Sequence, residues 1–309
     1  MRQEAEFGKL AQVRVKVRAM TEKVDPRYRD LDIWPVRDMV AAMYDGQVQA
    51  VAAIAPALNE LAKAAQAAAE RLGDCGRLVY TGAGTSGRLA VLDGAELGPT
   101  FGWPDERLVY LMAGGPEAIL KAVEGAEDDR EAGGEAIHTH NVDAKDVLIA
   151  VAASGKTPFT CAALEEARKQ GALTIAITNS SDVPLALSAD YAIIAVTGSE
   201  ILAGSTRMKA GTAQKTILTM LSTAIMTRMG RVYNGLMVDM IPSNAKLRAR
   251  AVRMVSTLTG CPREEAERAL KLANWQIKTA VLVAKGYSLA EGHALLEACG
   301  QNLRKALEV

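Results

Sequence analysis

Between residues 77 and 196 short, almost wholly apolar runs recur: RLVYTG (77–82), RLVYLMAG (107–114), DVLIAVAAS (146–154), LTIAIT (173–178) and YAIIAV (191–196). Their length and their β-branched and aromatic content mark strands, and the lack of strict alternation marks strands covered on both faces. Helix-like segments separate most of them. This alternation predicts an α/β fold with a doubly wound, five-stranded parallel sheet.

Outside that rhythm the pattern turns helical. Gln47 to Leu72 is alanine-rich and free of glycine, which predicts one helix, bent at or started by Pro56. RMKAGTAQKTILTMLSTAIMTRM (207–229) predicts a long apolar helix, and the stretch beyond Pro242 reads as short amphipathic helices joined by glycine turns. Residues 1–45 are polar and irregular, and VDPRYRDLDIWP (24–35) reads as an extended arm in need of a support such as a neighbouring subunit. Three parts follow: an N-terminal arm (1–45), the sheet domain (46–242) and a small C-terminal all-helical appendage (243–309).

Composition narrows the class. With 49% hydrophobic and 23% charged residues the chain is an ordinary globular one, and 36 basic residues balance 36 acidic ones, so no basic field points to nucleic acid. Cys75, Cys161, Cys261 and Cys299 are scattered, and His138 and His140 have no third ligand nearby, so no metal site is expected. No uncharged apolar run approaches the roughly 20 residues needed to cross a bilayer, and the charged first residues do not form a signal peptide. A reducing cytoplasm is the expected location.

The candidate chemistry lies at strand ends. TGAGTSGR (81–88) follows the first strand and opens a helix, where glycines allow close backbone approach and free N–H groups face an anion. No lysine follows in Walker fashion. Gly82, Gly84 and Gly87 match G-x-G-x-x-G, but Glu117 is a poor match for the acid that a dinucleotide site wants after its second strand. A plain tight bend remains open on this pattern alone. The third strand ends in a second hydroxyl-rich turn, ASGKTP (153–158), which also reads as an ordinary N-cap followed by proline. Two such turns converging on one crevice favour a monophosphate over a dinucleotide.

GAGTSGR and ASGKTP together resemble the sugar isomerase (SIS) family. Around them GAGTSGRLAVLDGAELGPTFG, AGGPEAILKAVEGAEDD, ASGKTPFTCAALEEAR and GSEILAGSTRMKAGTAQKTILTMLSTAIM resemble the branch of that family that cleaves the lactyl ether of N-acetylmuramate 6-phosphate. The likeness runs over roughly residues 18–309. Leu97 and Gly98 stand where that branch usually has Cys-Pro, and Asn234-Gly235 inverts its usual Gly-Asn.

The resemblance implies a SIS fold, a small sugar-phosphate substrate, no cofactor, no membrane or nucleic-acid partner, and a homodimer. The helix at 207–229 is the one apolar surface in the sequence able to supply a dimer contact. It further implies Glu96 as proton donor to the departing lactate and Glu127 as the second acid/base group. Gly84, Thr85, Ser86, Ser154, Gly155 and Thr157 are then expected to cradle phosphate, and Glu124 to bind sugar hydroxyls. Lys209, with Ser205 and Arg207, is expected to line the pocket, with some of these residues supplied by a partner subunit. An aldose–ketose isomerase or a non-catalytic sugar-phosphate sensor are the alternatives.

Overall fold

A computed structural model describes residues 21–308, which pack as two compact units. The first 20 residues of the expected arm lie outside the described residues. The first unit comprises the described residues up to Asp93 and Glu106–Leu221; the second comprises Gly94–Asp105 and the described residues from Ser222 onward.

The first unit is built on β1 (Leu78–Gly82), β2 (Leu108–Met112), β3 (Val147–Ala152), β4 (Leu173–Thr178) and β5 (Tyr191–Ile194), in the spatial order β2-β1-β3-β4-β5 with every pair parallel. The expected doubly wound sheet is therefore present. Every residue of β1, β3 and β4 is buried, as strands covered on both faces must be. At the start of β1, Arg77 pairs with Asp146 at 2.6 Å and donates to the carbonyls of His140 and Asn141, which locks β1 to β3 in register. The Tyr80 ring stacks on Tyr110 of β2, and its hydroxyl donates to Asp93.

Before the sheet come α1 (Val36–Ala52) and α2 (Leu58–Leu72). One helix was expected from Gln47; the observed start is Val36, and residues 53–57 break the run at Pro56. The helix passes through Gly46, whose bare face packs against Ile201 and Lys209, a Cβ there lying 3.4 Å from Ile201 Cδ1. Between strands run α3 (Gly84–Ala95), α5 (Arg130–Thr139), α6 (Pro158–Lys169) and α7 (Pro184–Ser188). Gly133 lets α5 and α6 touch, since a Cβ there would sit 2.2 Å from the Phe159 carbonyl oxygen. Then α8 (Lys209–Arg228) follows, with Ile217, Leu218, Leu221, Ile225 and Met226 buried within the chain. That helix therefore does not offer the free apolar surface expected of it.

The second unit holds α4 (Leu97–Phe101), the hairpin β6 (Val232–Tyr233) and β7 (Leu236–Met237), and α9 (Ala245–Thr259), α10 (Arg263–Leu272), α11 (Ile277–Ala284), α12 (Leu289–Ala298) and α13 (Leu303–Leu307). Asn244 caps α9, Ser288 and Glu291 form a capping box on α12, and Asn302 caps α13. Val238, Val255, Leu270, Val281, Leu296 and Leu303 are core residues. The hairpin turns on Asn234 (φ 48°) and Gly235 (φ 74°), so the inverted Asn-Gly pair is the ordinary sequence of a two-residue type I′ turn.

Candidate functional site

In this sheet β1 lies between β2 and β3, so the chain leaves β1 toward one edge and returns to the other. Such a switch point leaves a crevice beyond the strands' carboxyl ends. Gly82 at the end of β1 aligns with Val151 of β3, which sets the turns after these strands side by side.

The first turn is packed as closely as backbone allows. A Cβ on Gly82 would lie 2.9 Å from Gly87 N and Cα, and one on Gly87 would lie 2.6 Å from the Gly82 carbonyl oxygen and 2.4 Å from Met112 Sδ. The glycines thus seat the first turn of α3 directly on the end of β1. Gly84, with φ 52°, starts the helix and presents its exposed backbone. Thr85 and Ser86 follow half-buried in the same turn.

In the second turn Gly155 has φ 62°, its N–H donates to Ala152 O, and its carbonyl accepts from Leu185 N. Ser154 Oγ accepts the Lys156 N–H at 3.3 Å. Thr157 precedes Pro158 at the start of α6, and its hydroxyl makes no cap bond. Hydroxyls of Ser154 and Thr157 are half-buried at this helix start. The Cys161 thiol reaches back to the Gly155 carbonyl, and burial pushes it up to about 11, so it stays protonated and serves as packing.

Beside the first turn a cleft of about 340 Å³ is lined by Gly84, Arg88, Met112, Glu124, Gly125 and Glu127. Glu124 and Glu127 are exposed at its rim, Glu127 within the 3-10 turn Ala126–Asp128 that follows Gly125 (φ 74°). Arg88 Nε donates to the carbonyls of Ala118 and Ile119, at 3.0 Å each, which ties the loop carrying both glutamates to α3. Arg88 was missed from sequence, although it directly follows the glycine turn.

Glu96 is placed differently. It stands exposed between α3 and α4, and its carbonyl accepts from Thr100 N. It follows Ala95, the last residue of α3. Lys209 is 6% exposed; its ammonium donates to Ser199 O, and burial depresses its pKa. The start of α8 reaches the first turn: a Cβ on Gly211 would lie 3.6 Å from Thr85 Cγ2. Glu200, fully buried, accepts from Lys209 N and Ala210 N and so caps α8. Sequence gave no warning of it, since a cap nine residues upstream has no local signature.

The parallel sheet, its switch point and two hydroxyl-bearing turns define the SIS class. Profiles for the glucokinase regulatory protein N-terminal SIS domain and for the SIS domain match residues 60–168 and 129–224. A Bacteroides fragilis structure described as a phosphosugar isomerase involved in capsule formation shares this fold, with TM-score 0.51 and 22% identity over 65% of this chain and 95% of that one. Within the class the chain belongs to the N-acetylmuramic acid 6-phosphate etherase family. The Deinococcus radiodurans etherase is 48% identical over 93% of this chain and 94% of its own length, and the Salmonella choleraesuis etherase 45% identical over 94% and 98%.

Proposed function

We propose that this chain removes the D-lactyl group from N-acetylmuramate 6-phosphate with water, releasing N-acetylglucosamine 6-phosphate and D-lactate, as a carbon–oxygen lyase of cell-wall sugar recycling. The observation that carries this reading is the near end-to-end likeness to etherases at 45–48% identity. The paired turns at the switch point support it, since each places hydroxyls at the start of a helix, where an anion is favoured.

The chemistry runs through the open-chain sugar. Its C1 aldehyde acidifies the C2 hydrogen, which a carboxylate removes; the C3–O bond then breaks as a second acid protonates the leaving lactate oxygen. Water adds to C3 of the resulting unsaturated aldehyde, and C2 regains a proton. Ser86, Ser154 and Thr157 with Gly84, Thr85 and Gly155 hold the phosphate, Glu127 acts at C2, Glu124 binds sugar hydroxyls, and Glu96 protonates lactate. Lys209 contributes to the pocket from the start of α8, the end of that helix that reaches the first turn.

We assign the working form as a homodimer. Glu96 stands exposed just past the end of α3, and in this reading a second copy of the chain supplies it to the site. A surface for pairing exists on α1, where Val36, Val40, Tyr44, Val48 and Val51 recur every three or four residues, each about half exposed or more. A stripe of this kind is self-complementary across a twofold axis. No helix among the described residues is long and apolar enough to cross a membrane; the proposed location is the cytoplasm, which holds charged sugar phosphates.

The test is incubation with N-acetylmuramate 6-phosphate in oxygen-18 water. Unlabelled lactate with heavy oxygen at sugar C3 is the expected outcome. A ketose product means an isomerase, and binding without turnover means a sensor; either overturns the reading. For the roles, Glu96→Gln is expected to stop lactate release while C2 hydrogen still exchanges with solvent deuterium, and Glu127→Gln to stop both.

A further inference from the structure

The second unit contains a cavity of its own, about 460 Å³, lined among others by Asp239, Asn274, Trp275, Lys278, His293 and Gln301. Its volume lies within the range of small-molecule sites. At its base Lys278 Nζ donates to Asp239 Oδ2 at 2.6 Å and to the Gln301 carbonyl at 2.7 Å. The lysine side chain is 6% exposed and the aspartate 22%. An ion pair this deep is weak evidence of stability, because desolvation consumes most of the attraction.

Strain gathers at the same place. Asn274 (φ 48°), Trp275 (φ 64°) and Gln301 (φ 58°) are three of six non-glycine residues with positive φ among the described residues, and all three line this cavity. Trp275 N closes onto Leu270 O and Gln301 N onto Leu296 O, in helix-ending turns where glycine would be unstrained. A tryptophan in the left-handed region is a true outlier, and such outliers cluster at ligand sites.

The lining also selects a ligand chemistry. Asp239 is the one carboxylate in the lining, and it is held by Lys278 at 2.6 Å and by Arg231 at 3.9 Å, so its negative charge is balanced within the protein. Asp239 Oδ1 accepts no hydrogen bond from the described residues, and the amide groups of Asn274, Gln276 and Gln301 stand exposed at the rim. Trp275 adds a half-buried indole with Arg248 stacked on it at 5.1 Å, and Ile277 and Leu296 add apolar wall. An acceptor carboxylate oxygen, several amides and an indole match a pyranose, with hydroxyls around its edge and an apolar C–H face.

We propose that this cavity is a second binding site, separate from the strand-end crevice, for a neutral saccharide of one or two rings. The ring rests on Trp275 while its hydroxyls donate to Asp239 and bond the rim amides. The saccharide site does not depend on the catalytic reading.

The experiment uses the full chain with its tryptophan indoles labelled with nitrogen-15. The chain has three tryptophans, Trp34, Trp103 and Trp275, and Trp275→Phe assigns the third signal. N-acetylglucosamine and its β-1,4-linked dimer are titrated, with inorganic phosphate as control. A saturable shift of the Trp275 signal with a saccharide and none with phosphate is expected. By calorimetry, Trp275→Ala is expected to weaken binding about tenfold or more, and Trp275→Tyr, which keeps an aromatic face, to restore most of it. Asp239→Asn risks unfolding, so Gln276→Ala on the exposed rim serves as second variant, with a severalfold loss expected. An unmoved Trp275 signal, a response to phosphate alone, or unchanged affinity in Trp275→Ala each overturns the proposal.

Discussion

Gly87→Ala tests whether the first turn binds phosphate through its seating on β1. The added methyl would lie 2.6 Å from Gly82 O and 2.4 Å from Met112 Sδ, where ordinary contact begins at 3.4 Å. The methionine can swing aside. The Gly82 carbonyl cannot, because it accepts from Ala113 N and its strand is hydrogen-bonded on both sides. The start of α3 must therefore lift by about 0.8 Å, the difference between 3.4 and 2.6. Overpacking of this kind costs about 1–3 kcal/mol, which lowers Tm by roughly 2–10 °C in a chain of this size. Hydrogen bonds from the lifted turn to phosphate stretch out of range, and each charge-assisted bond lost is worth about 1.5–3 kcal/mol. Steady-state kinetics should show KM raised about ten- to a hundredfold with kcat little changed. Gly84→Ala is the control: a Cβ there meets nothing within 4 Å, but φ 52° is strained, so it should lose stability without lifting the helix and raise KM less. A Gly87→Ala protein with wild-type Tm and KM would refute the reasoning, as would a collapse of kcat at constant KM.

The proposed sharing of the site between subunits makes a mixing prediction: inactive Glu96→Gln and a weakened Ser154→Ala protein, unfolded and refolded together, should regain activity that neither has alone, measured as lactate release at limiting substrate. No recovery would place both residues in one subunit. Val40→Asp, on the exposed stripe of α1, should shift the protein to monomer by light scattering and abolish turnover while leaving the circular dichroism unchanged; an intact dimer would move the interface elsewhere. Asp239→Asn should destabilise by about 3–5 kcal/mol, because it leaves Lys278 buried without its counter-ion, whereas replacing both by apolar residues should cost far less. Burial already depresses Lys278 below the unfolded lysine value. Between those two pKa values the unfolded chain binds more protons, so the stability of Asp239→Asn should rise with pH up to about 10; a fall over that range in denaturant titrations would contradict the assignment.

Much of the first unit was legible because its signals are local. Strand identity follows from apolar β-branched runs, and the two turns from glycine and hydroxyl residues beside them. The break at Pro56 was visible, while the start at Val36 was not, since glycine disfavours a helix and the packing of Gly46 against Ile201 is a long-range contact. The hairpin at 232–237 was overlooked despite its Asn-Gly signal, because both strands are only two residues long.

The chain's own order of residues thus settled the sheet, the two glycine and hydroxyl turns at its strand ends and the family to which it belongs. The order of neighbours in space settled the rest: Arg88 holding the glutamate loop, Glu200 capping α8, the Asp239–Lys278 pair 39 positions apart, and Arg231 donating to Phe101 O across 130. Secondary structure responds to residues a turn or a strand pitch away, and so can be read along the line. A buried charge, a distant cap or a strained helix corner is stable only through partners that folding brings together, and no local pattern encodes them.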